Sequence, residues 1–163
     1  MVHHAVIYAH YDMFELFRTG EDPAMPRKAL TKTEFETLSE FRYRLRRFLR
    51  FSEQVTRKNG ITPLQYLLLL HVKGFPGRNW ATVGELAERL QAQHHGTVAL
   101  ISRCEKLGWV ERVQGQADRR AVEVHLTASG ERMATRMAQL HRDEHLTPAG
   151  SFLLPELRDL QED

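Results

Sequence analysis

The fold is decided by residues 83–126, whose sequence is VGELAERLQAQHHGTVALISRCEKLGWVERVQGQADRRAVEVHL. Apolar residues recur at helical spacing in its first part, and the polar stretch 91–93 interrupts them, which predicts two short helices separated by a turn. Gly108 is expected to end the second helix. Residues 109–113 and 121–126 then alternate apolar and polar side chains around a basic loop, which predicts a β-hairpin.

The first helix of this stretch has a clear start signal. Thr82 and Glu85 have the spacing of a capping box, and Trp80-Ala81 just before them is predicted to be a short strand. In the second helix, Val98, Ile101 and either Cys104 or Glu105 recur at steps of three residues, so we expect them to be buried. The opposite face is then expected to carry His95, Gly96, Ala99, Leu100 and Arg103.

Two further helices are predicted before this stretch. Residues 34–58 repeat large apolar side chains at steps of three and four residues, and several arginines occupy the other faces. Thr62-Pro63-Leu64-Gln65 combines a cap, a first-turn proline and a capping box, which predicts the start of another helix. That helix is apolar on most sides, so we expect it to be the central buried one.

The remaining segments are predicted to be scaffold. Residues 1–33 are interpreted as an N-terminal arm and linker, and 34–61 as a dimerisation helix. The predicted functional lobe is 62–127, and 128–163 are interpreted as C-terminal dimerisation helices. A helix as long and apolar as 34–58 is expected to pack against other helices, including those of a partner subunit.

Composition sets broad limits on function. The 163 residues include 23 basic and 21 acidic side chains, so the formal net charge of +2 neither requires nor excludes a nucleic-acid partner. The one cysteine, Cys104, cannot form an internal disulfide, which fits a reducing compartment. No secretory signal is expected, and no apolar run approaches the ~18 residues of a membrane span. We therefore expect a cytoplasmic protein without membrane contact.

The order of the helices and hairpin resembles that of the multiple antibiotic resistance regulator (MarR) family. The residues that carry the resemblance are ITPLQYLLLL (61–70), ELAERL (85–90), ISRCEKLGWVERV (101–113) and ADRRAVEVHLTASG (117–130). The Asp-Arg-Arg in the hairpin and the Leu-Thr-x-x-Gly after it are the most specific features. The resemblance covers roughly residues 34–146. It implies a mainly α fold with a small β wing, a winged helix-turn-helix, and a homodimer that binds double-stranded DNA to regulate transcription.

The residue chemistry and the resemblance indicate the same DNA contacts. Small and polar residues at the start of the second helix can approach base edges in a major groove, and hairpin arginines can reach phosphates or a minor groove. The predicted DNA-binding residues are Gln93, His94, His95, Gly96, Thr97, Ala99, Arg103, Arg119 and Arg120. Family members often have Ser/Thr-Arg where this chain has Val98-Ala99, so a relative's operator sequence does not transfer.

The resemblance also implies a small aromatic or anionic effector that binds between the dimerisation helices and the DNA lobe. The candidate lining residues are Phe48, Phe51, Tyr66 and His71. We expect a repressor that occludes a promoter by binding a pseudo-palindrome, with recognition helices about one DNA turn (~34 Å) apart. A zinc- or redox-responsive regulator of the same fold, or a protein-binding winged helix, is the alternative.

Other chemistry has weaker support in the sequence. His141 and His145 are four residues apart on a predicted helix and are weak metal-ligand candidates, but no cysteine pair or dense ligand cluster accompanies them. Cys104 occupies an apolar position, so a buried structural residue is favoured over a redox sensor. The sequence contains no Gly-rich phosphate loop, nucleophile elbow or HExxH motif, so we expect neither enzyme activity nor a cofactor.

Overall fold

The computed structural model describes residues 29–115 and 121–145. Contacts divide the chain into two units, residues 1–35 and 36–163, and the fold presented below is that of the second unit, with the helix that leads into it beginning at Lys32. The predictions outside the described residues are those for most of the N-terminal arm (1–28), the hairpin tip (116–120) and the last C-terminal segment (146–163).

The described residues are mainly helical with one small sheet, which confirms the predicted fold class. The elements are α1 (Lys32–Lys58), α2 (Pro63–Lys73), β1 (Trp80–Thr82), α3 (Val83–Arg89), α4 (His94–Lys106), β2 (Val110–Gln114), β3 (Val122–Leu126) and α5 (Ala128–His145). The three strands are antiparallel in the order β1-β3-β2, so β3 is central. Val124 of β3 pairs with Ala81 on one side and Arg112 on the other.

The helices start where the capping signals in the sequence predict. The Thr62 hydroxyl accepts a hydrogen bond from the Gln65 backbone N–H at 3.2 Å, and the Gln65 side chain accepts one from the Thr62 N–H at 2.9 Å. Thr82 and Glu85 form the same reciprocal pair at the start of α3. Both predicted capping boxes are therefore confirmed, and each satisfies amides that have no partner inside the helix.

Three helices end at a residue in the left-handed region. Gly60 and Gly108 have φ values of 72° and 70°, as the predicted helix ends require. After α3 the same position is occupied by Gln91, with φ of 48°, and its side-chain amide donates to the Glu88 carbonyl at 2.7 Å. This turn sets the direction in which α4 leaves α3.

Helix α2 is the central buried helix, as predicted. Leu68, Leu69 and Val72 are fully buried, and Tyr66 is nearly so. Each such side chain contributes about 1.5–3 kcal/mol relative to an exposed one. The rest of the core is formed by Ile61, Ala81, Leu86, Leu100, Ile101, Cys104, Trp109, Val110, Val124, Ala134 and Met137. The core thus lies between α2, the sheet and the inner faces of α3, α4 and α5.

The start of α5 is held against the residue that precedes β2. The Thr127 N–H donates to the Trp109 carbonyl at 3.1 Å, and the Thr127 hydroxyl donates to the Gly108 carbonyl at 2.6 Å. The same hydroxyl accepts from the Gly130 N–H at 3.1 Å. A Cβ atom on Gly130 would lie 1.9 Å from the Trp109 carbonyl oxygen. The Leu-Thr-x-x-Gly motif therefore has a structural reason, because only glycine fits at this contact.

Helix α1 differs from the other helices in its burial. It is 27 residues long, and Thr56 is the one of these residues that is buried. Its apolar residues Tyr43 and Leu49 are 57% and 47% exposed. The described residues therefore leave much of the apolar surface of α1 uncovered. None of the helices in the described part of the chain has the length and apolar character needed to cross a membrane.

Candidate nucleic-acid interface

The inner face of α4 differs from the predicted one. The helix buries Leu100, Ile101 and Cys104, whereas Val98 is 37% exposed. The expectation that Val98 points inward and Leu100 outward was therefore wrong. Residues at steps of three alone drift around an α-helix, whose period is 3.6 residues. The observed buried stripe instead combines steps of three and four residues.

Thr97 also belongs to this inner face, although we predicted that it contacts DNA. Its side chain is 1% exposed, and its hydroxyl donates to the Gln93 carbonyl at 3.2 Å. This bond within the helix satisfies the hydroxyl, so that a polar residue is buried without an unpaired group. The structure thus removes the Thr97 side chain from the candidate interface.

The outer face of α4 carries the other predicted contacts of this helix. The exposed residues on it and at its start are Gln93, His94, His95, Ala99 and Arg103. Lys106, which the sequence reasoning missed, lies two turns after Ala99 on the same face. A Cβ atom at Gly96 would meet nothing within 4 Å, so the fold itself does not require glycine there. The small residues Gly96 and Ala99 therefore lie in the first half of α4, and the basic residues Arg103 and Lys106 lie in its second half.

Arg112, which was likewise not among the predicted site residues, joins β2 to α4. One terminal nitrogen of its guanidinium forms an ion pair with Glu105. The other donates to the Ser102 hydroxyl at 2.9 Å and to the Val98 carbonyl at 3.3 Å. One signal in the sequence could have revealed it: Arg112 is two residues after the buried Val110, and alternate residues of a strand share a face.

The wing is described only in part. Strands β2 and β3 confirm the predicted hairpin, and the Gly115 N–H donates to the Ala121 carbonyl at 2.9 Å at its described end. Arg119 and Arg120, which we predicted to contact DNA, lie outside the described residues. Their contribution therefore stays a prediction.

A cavity of about 510 Å³ lies between α1, α2 and α5. Phe48 and Tyr66, two of the four residues predicted for an effector site, line it. Phe51 reaches the ring of His141, which also lines the cavity, at a centroid distance of 5.6 Å. His71 is not one of the lining residues; burial and then the positive charge of Arg89 lower its pKa. The structure thus groups three of the predicted residues around His141, and His71 is not part of that group.

His141 is a buried part of this group rather than an available metal ligand. Its ring lies 4.6 Å from the Tyr66 ring in a stacked arrangement. Its Nδ1 is 2.7 Å from the Met137 carbonyl oxygen, and its Nε2 is 3.0 Å from the Ser52 hydroxyl. Both nitrogens therefore have partners, which argues against the predicted weak metal role. The His145 side chain is outside the described set, and within that set no three His, Cys, Asp or Glu side chains could hold a metal ion together.

Cys104 is fully buried in the core. Burial raises the pKa of its thiol to about 11, and the opposing effect of the Arg103 charge is smaller. Because the thiolate is the reactive form, this cysteine is protected from oxidation at neutral pH. The structure therefore favours the structural role over the redox-sensing one.

Comparisons with known proteins agree with this geometry. The MarR family model matches residues 59–121. YsmB of Bacillus subtilis, an uncharacterised HTH-type transcriptional regulator, is 34% identical over 86 residues, which are 49% of this chain and 53% of YsmB. This chain thus matches about half the length of that curated relative.

Solved structures of MarR proteins share the fold. AbsC, a MarR family transcriptional regulator from Streptomyces coelicolor, has a TM-score of 0.66 and 23% identity, covering 82% of this chain and 90% of AbsC. A mutant MarR from E. coli complexed with operator DNA has a TM-score of 0.58 and 21% identity, covering 83% of this chain and 100% of that one.

Proposed function

We propose that the chain is a MarR family transcriptional regulator that binds double-stranded DNA sequence-specifically. The exposed outer face of α4 is the observation that carries the proposal. This face follows a short helix and a tight turn, and its packing residues are all on the opposite side. A helix held in this way can enter a major groove without disturbing the core.

Base contacts are proposed for the first two turns of α4. His94 and His95 can donate or accept hydrogen bonds at base edges, and Gln93 lies just before them. Gly96 and Ala99 would allow the helix to approach the bases closely. A glycine inside a helix costs about 0.5–1 kcal/mol relative to alanine. Because the fold leaves room for a side chain at Gly96, we infer that its small size serves the contact with DNA.

Phosphate contacts are proposed for the basic side chains around this face. Arg103 is exposed on α4, and Arg119 and Arg120 follow β2 in the chain. Arginine binds phosphate oxygens and is favoured in narrow minor grooves. These residues would fix the orientation of the protein, whereas the start of α4 would read the sequence.

A homodimer is proposed as the binding unit. Helix α1 presents large apolar side chains that the described residues do not cover, and a second copy of the chain would bury them. Two symmetric copies would place their recognition helices about one DNA turn, ~34 Å, apart. The bound sequence would then be a pseudo-palindrome, and occupation of a promoter would repress transcription by excluding the polymerase.

Control by a small aromatic effector is proposed for the cavity that Phe48 and Tyr66 line. Its volume of about 510 Å³ falls within the range of small-molecule sites, and its lining is mostly apolar. Arg142, whose guanidinium pairs with Asp143, also lines the cavity and offers a charge for an anionic group. Titration of the DNA complex with benzoate, followed by fluorescence anisotropy, tests this part. The proposal would be contradicted if benzoate did not bind and did not release the DNA.

The DNA-binding proposal is tested by selecting bound duplexes from a random-sequence pool. We expect the protein to enrich a two-fold symmetric sequence. On that duplex, Arg103→Met and Arg120→Ala should each weaken binding, and each should reduce the slope of log K against log salt by about 0.9, the value for one phosphate contact. Arg132→Met, which removes an exposed charge from α5, is the matched control and should keep the slope. Failure to enrich any sequence would overturn the proposed function.

A further inference from the structure

The contacts of Arg112 form one network along a single stripe of α4. The groups that it holds belong to Val98, Ser102 and Glu105, which follow one another at steps of four and three residues. The Ser102 hydroxyl also donates to the Val98 carbonyl at 3.0 Å, so the two acceptors of one guanidinium nitrogen are themselves joined. This stripe borders the outer face that carries Ala99 and Arg103.

The position of Arg112 in the sheet is unusual for a charged residue. It pairs with the fully buried Val124 and is two residues after the buried Val110, so it occupies an inward-facing position of β2. Its side chain is only 27% exposed. The guanidinium is planar and presents its donors as a fixed fork, so that binding to three groups restricts both the strand and the helix. A lysine ammonium at this position would lack that geometry.

We propose that Arg112 is a positioning residue that fixes the rotation of α4 relative to the wing strand β2. This inference rests on the proposed function. The groove-facing residues are on α4, and the hairpin arginines follow β2 in the chain, so the two sets must be presented to the same duplex in register. A network that joins α4 to β2 would set this register before DNA arrives, which reduces the conformational entropy lost on specific binding. Arg112 itself would touch no base and no phosphate.

The experiment compares binding to two probes, the duplex that the wild-type protein selects from random DNA and a scrambled duplex of the same composition. For Arg112→Met we expect about a tenfold loss of affinity for the selected duplex, on the scale of coupling within one hydrogen-bonded network. Affinity for the scrambled duplex and the salt slope on either probe should stay unchanged, because no phosphate contact is removed. Arg103→Met, in contrast, should lose affinity for both probes and reduce the slope.

Two further variants separate positioning from loss of folding. Glu105→Gln and Arg112→Lys keep side chains of similar size but weaken the network, and each should show the same selective loss as Arg112→Met. The double variant Glu105→Gln/Arg112→Met should bind the selected duplex no more weakly than Arg112→Met alone, because both changes break one network. Circular dichroism melts identify any variant that is unfolded, and Arg112→Lys then gives the decisive comparison.

The possible outcomes have distinct meanings. Equal losses on the selected and scrambled duplexes, or a reduced salt slope for Arg112→Met, would overturn the positioning role. Unchanged selectivity in both Arg112→Lys and Arg112→Met would also overturn it and would leave the proposed function intact. If the wild-type protein selects no sequence, the proposed function fails, and this inference fails with it.

Discussion

At the scale of single residues, Gly130 shows how closely the start of α5 packs against the residue before β2. Its missing Cβ leaves room for the Trp109 carbonyl, which also accepts the Thr127 N–H at the start of α5. Gly130→Ala is expected to lower the free energy of unfolding by about 3 kcal/mol, because neither backbone can move without losing hydrogen bonds. Gly84→Ala is the matched control, since a Cβ there meets nothing within 4 Å. Urea denaturation of both variants measures the difference, and equal stabilities would contradict the contact.

Residue 97 also shows where the sequence misleads. Threonine and valine occupy adjacent positions in α4, and hydrophobicity alone favours burial of Val98. The fold instead buries Thr97, because it shares the inner face of α4 with Leu100 and Ile101, and its hydroxyl has a partner in the Gln93 carbonyl one turn earlier. His141 gives the same lesson in α5. Its spacing from His145 suggested a metal ligand, but the Ser52 hydroxyl that occupies its Nε2 comes from α1, 89 residues earlier in the chain. A contact that distant leaves no local pattern in the sequence.

At the scale of elements, the start of α3 depends on an ionised side chain. Burial raises the pKa of Glu85, but hydrogen bonds from the Thr82 backbone and hydroxyl, together with Arg78, outweigh burial and lower the pKa below 4.5. A carboxyl whose pKa is lowered by folding stabilises the protein above its unfolded pKa, and this stability is lost as pH falls through the folded pKa. The wild-type protein should therefore be more stable than Glu85→Gln at pH 7, and the difference should shrink below about pH 4.5. Chemical denaturation at several pH values measures this, and a constant difference would exclude the ionised cap.

Element boundaries were the most predictable part of the fold. The signals at Thr62, Thr82 and Gly108 depend on contacts within a few residues, and all three were confirmed. The turn before α4 was also predicted, from the polar stretch 91–93, but no glycine marks its left-handed residue, which is Gln91. Arg112 was missed for a different reason. Strand alternation could have placed it on the face of Val110, but its partners lie on a stripe of α4 that the sequence of β2 does not show.

At the scale of the whole molecule, helix α1 gives a test of the proposed homodimer. Its exposed apolar residues cost solvation free energy unless another surface covers them. We expect light scattering to give twice the chain mass of 18.9 kDa. Leu49→Glu should shift the protein towards the monomer, because a buried carboxylate at a subunit contact is unfavourable. Leu107→Glu changes a leucine of similar exposure (52%, against 47% for Leu49) outside α1 and should leave the mass unchanged. A monomeric wild-type protein would contradict the proposed dimer.

The division of α4 into two faces has a consequence for how such proteins diverge. The side chains that hold the helix in place, Thr97, Leu100, Ile101 and Cys104, are all on one side. Exchange of the histidines or Ala99 on the other side therefore leaves the core intact. Under the proposed function, mutation could thus explore new target sequences with little loss of stability, and duplicated copies of such a gene could acquire separate targets by changing a few exposed residues. Substitutions at the buried positions would instead disturb the core, so evolutionary change should concentrate on the outer face.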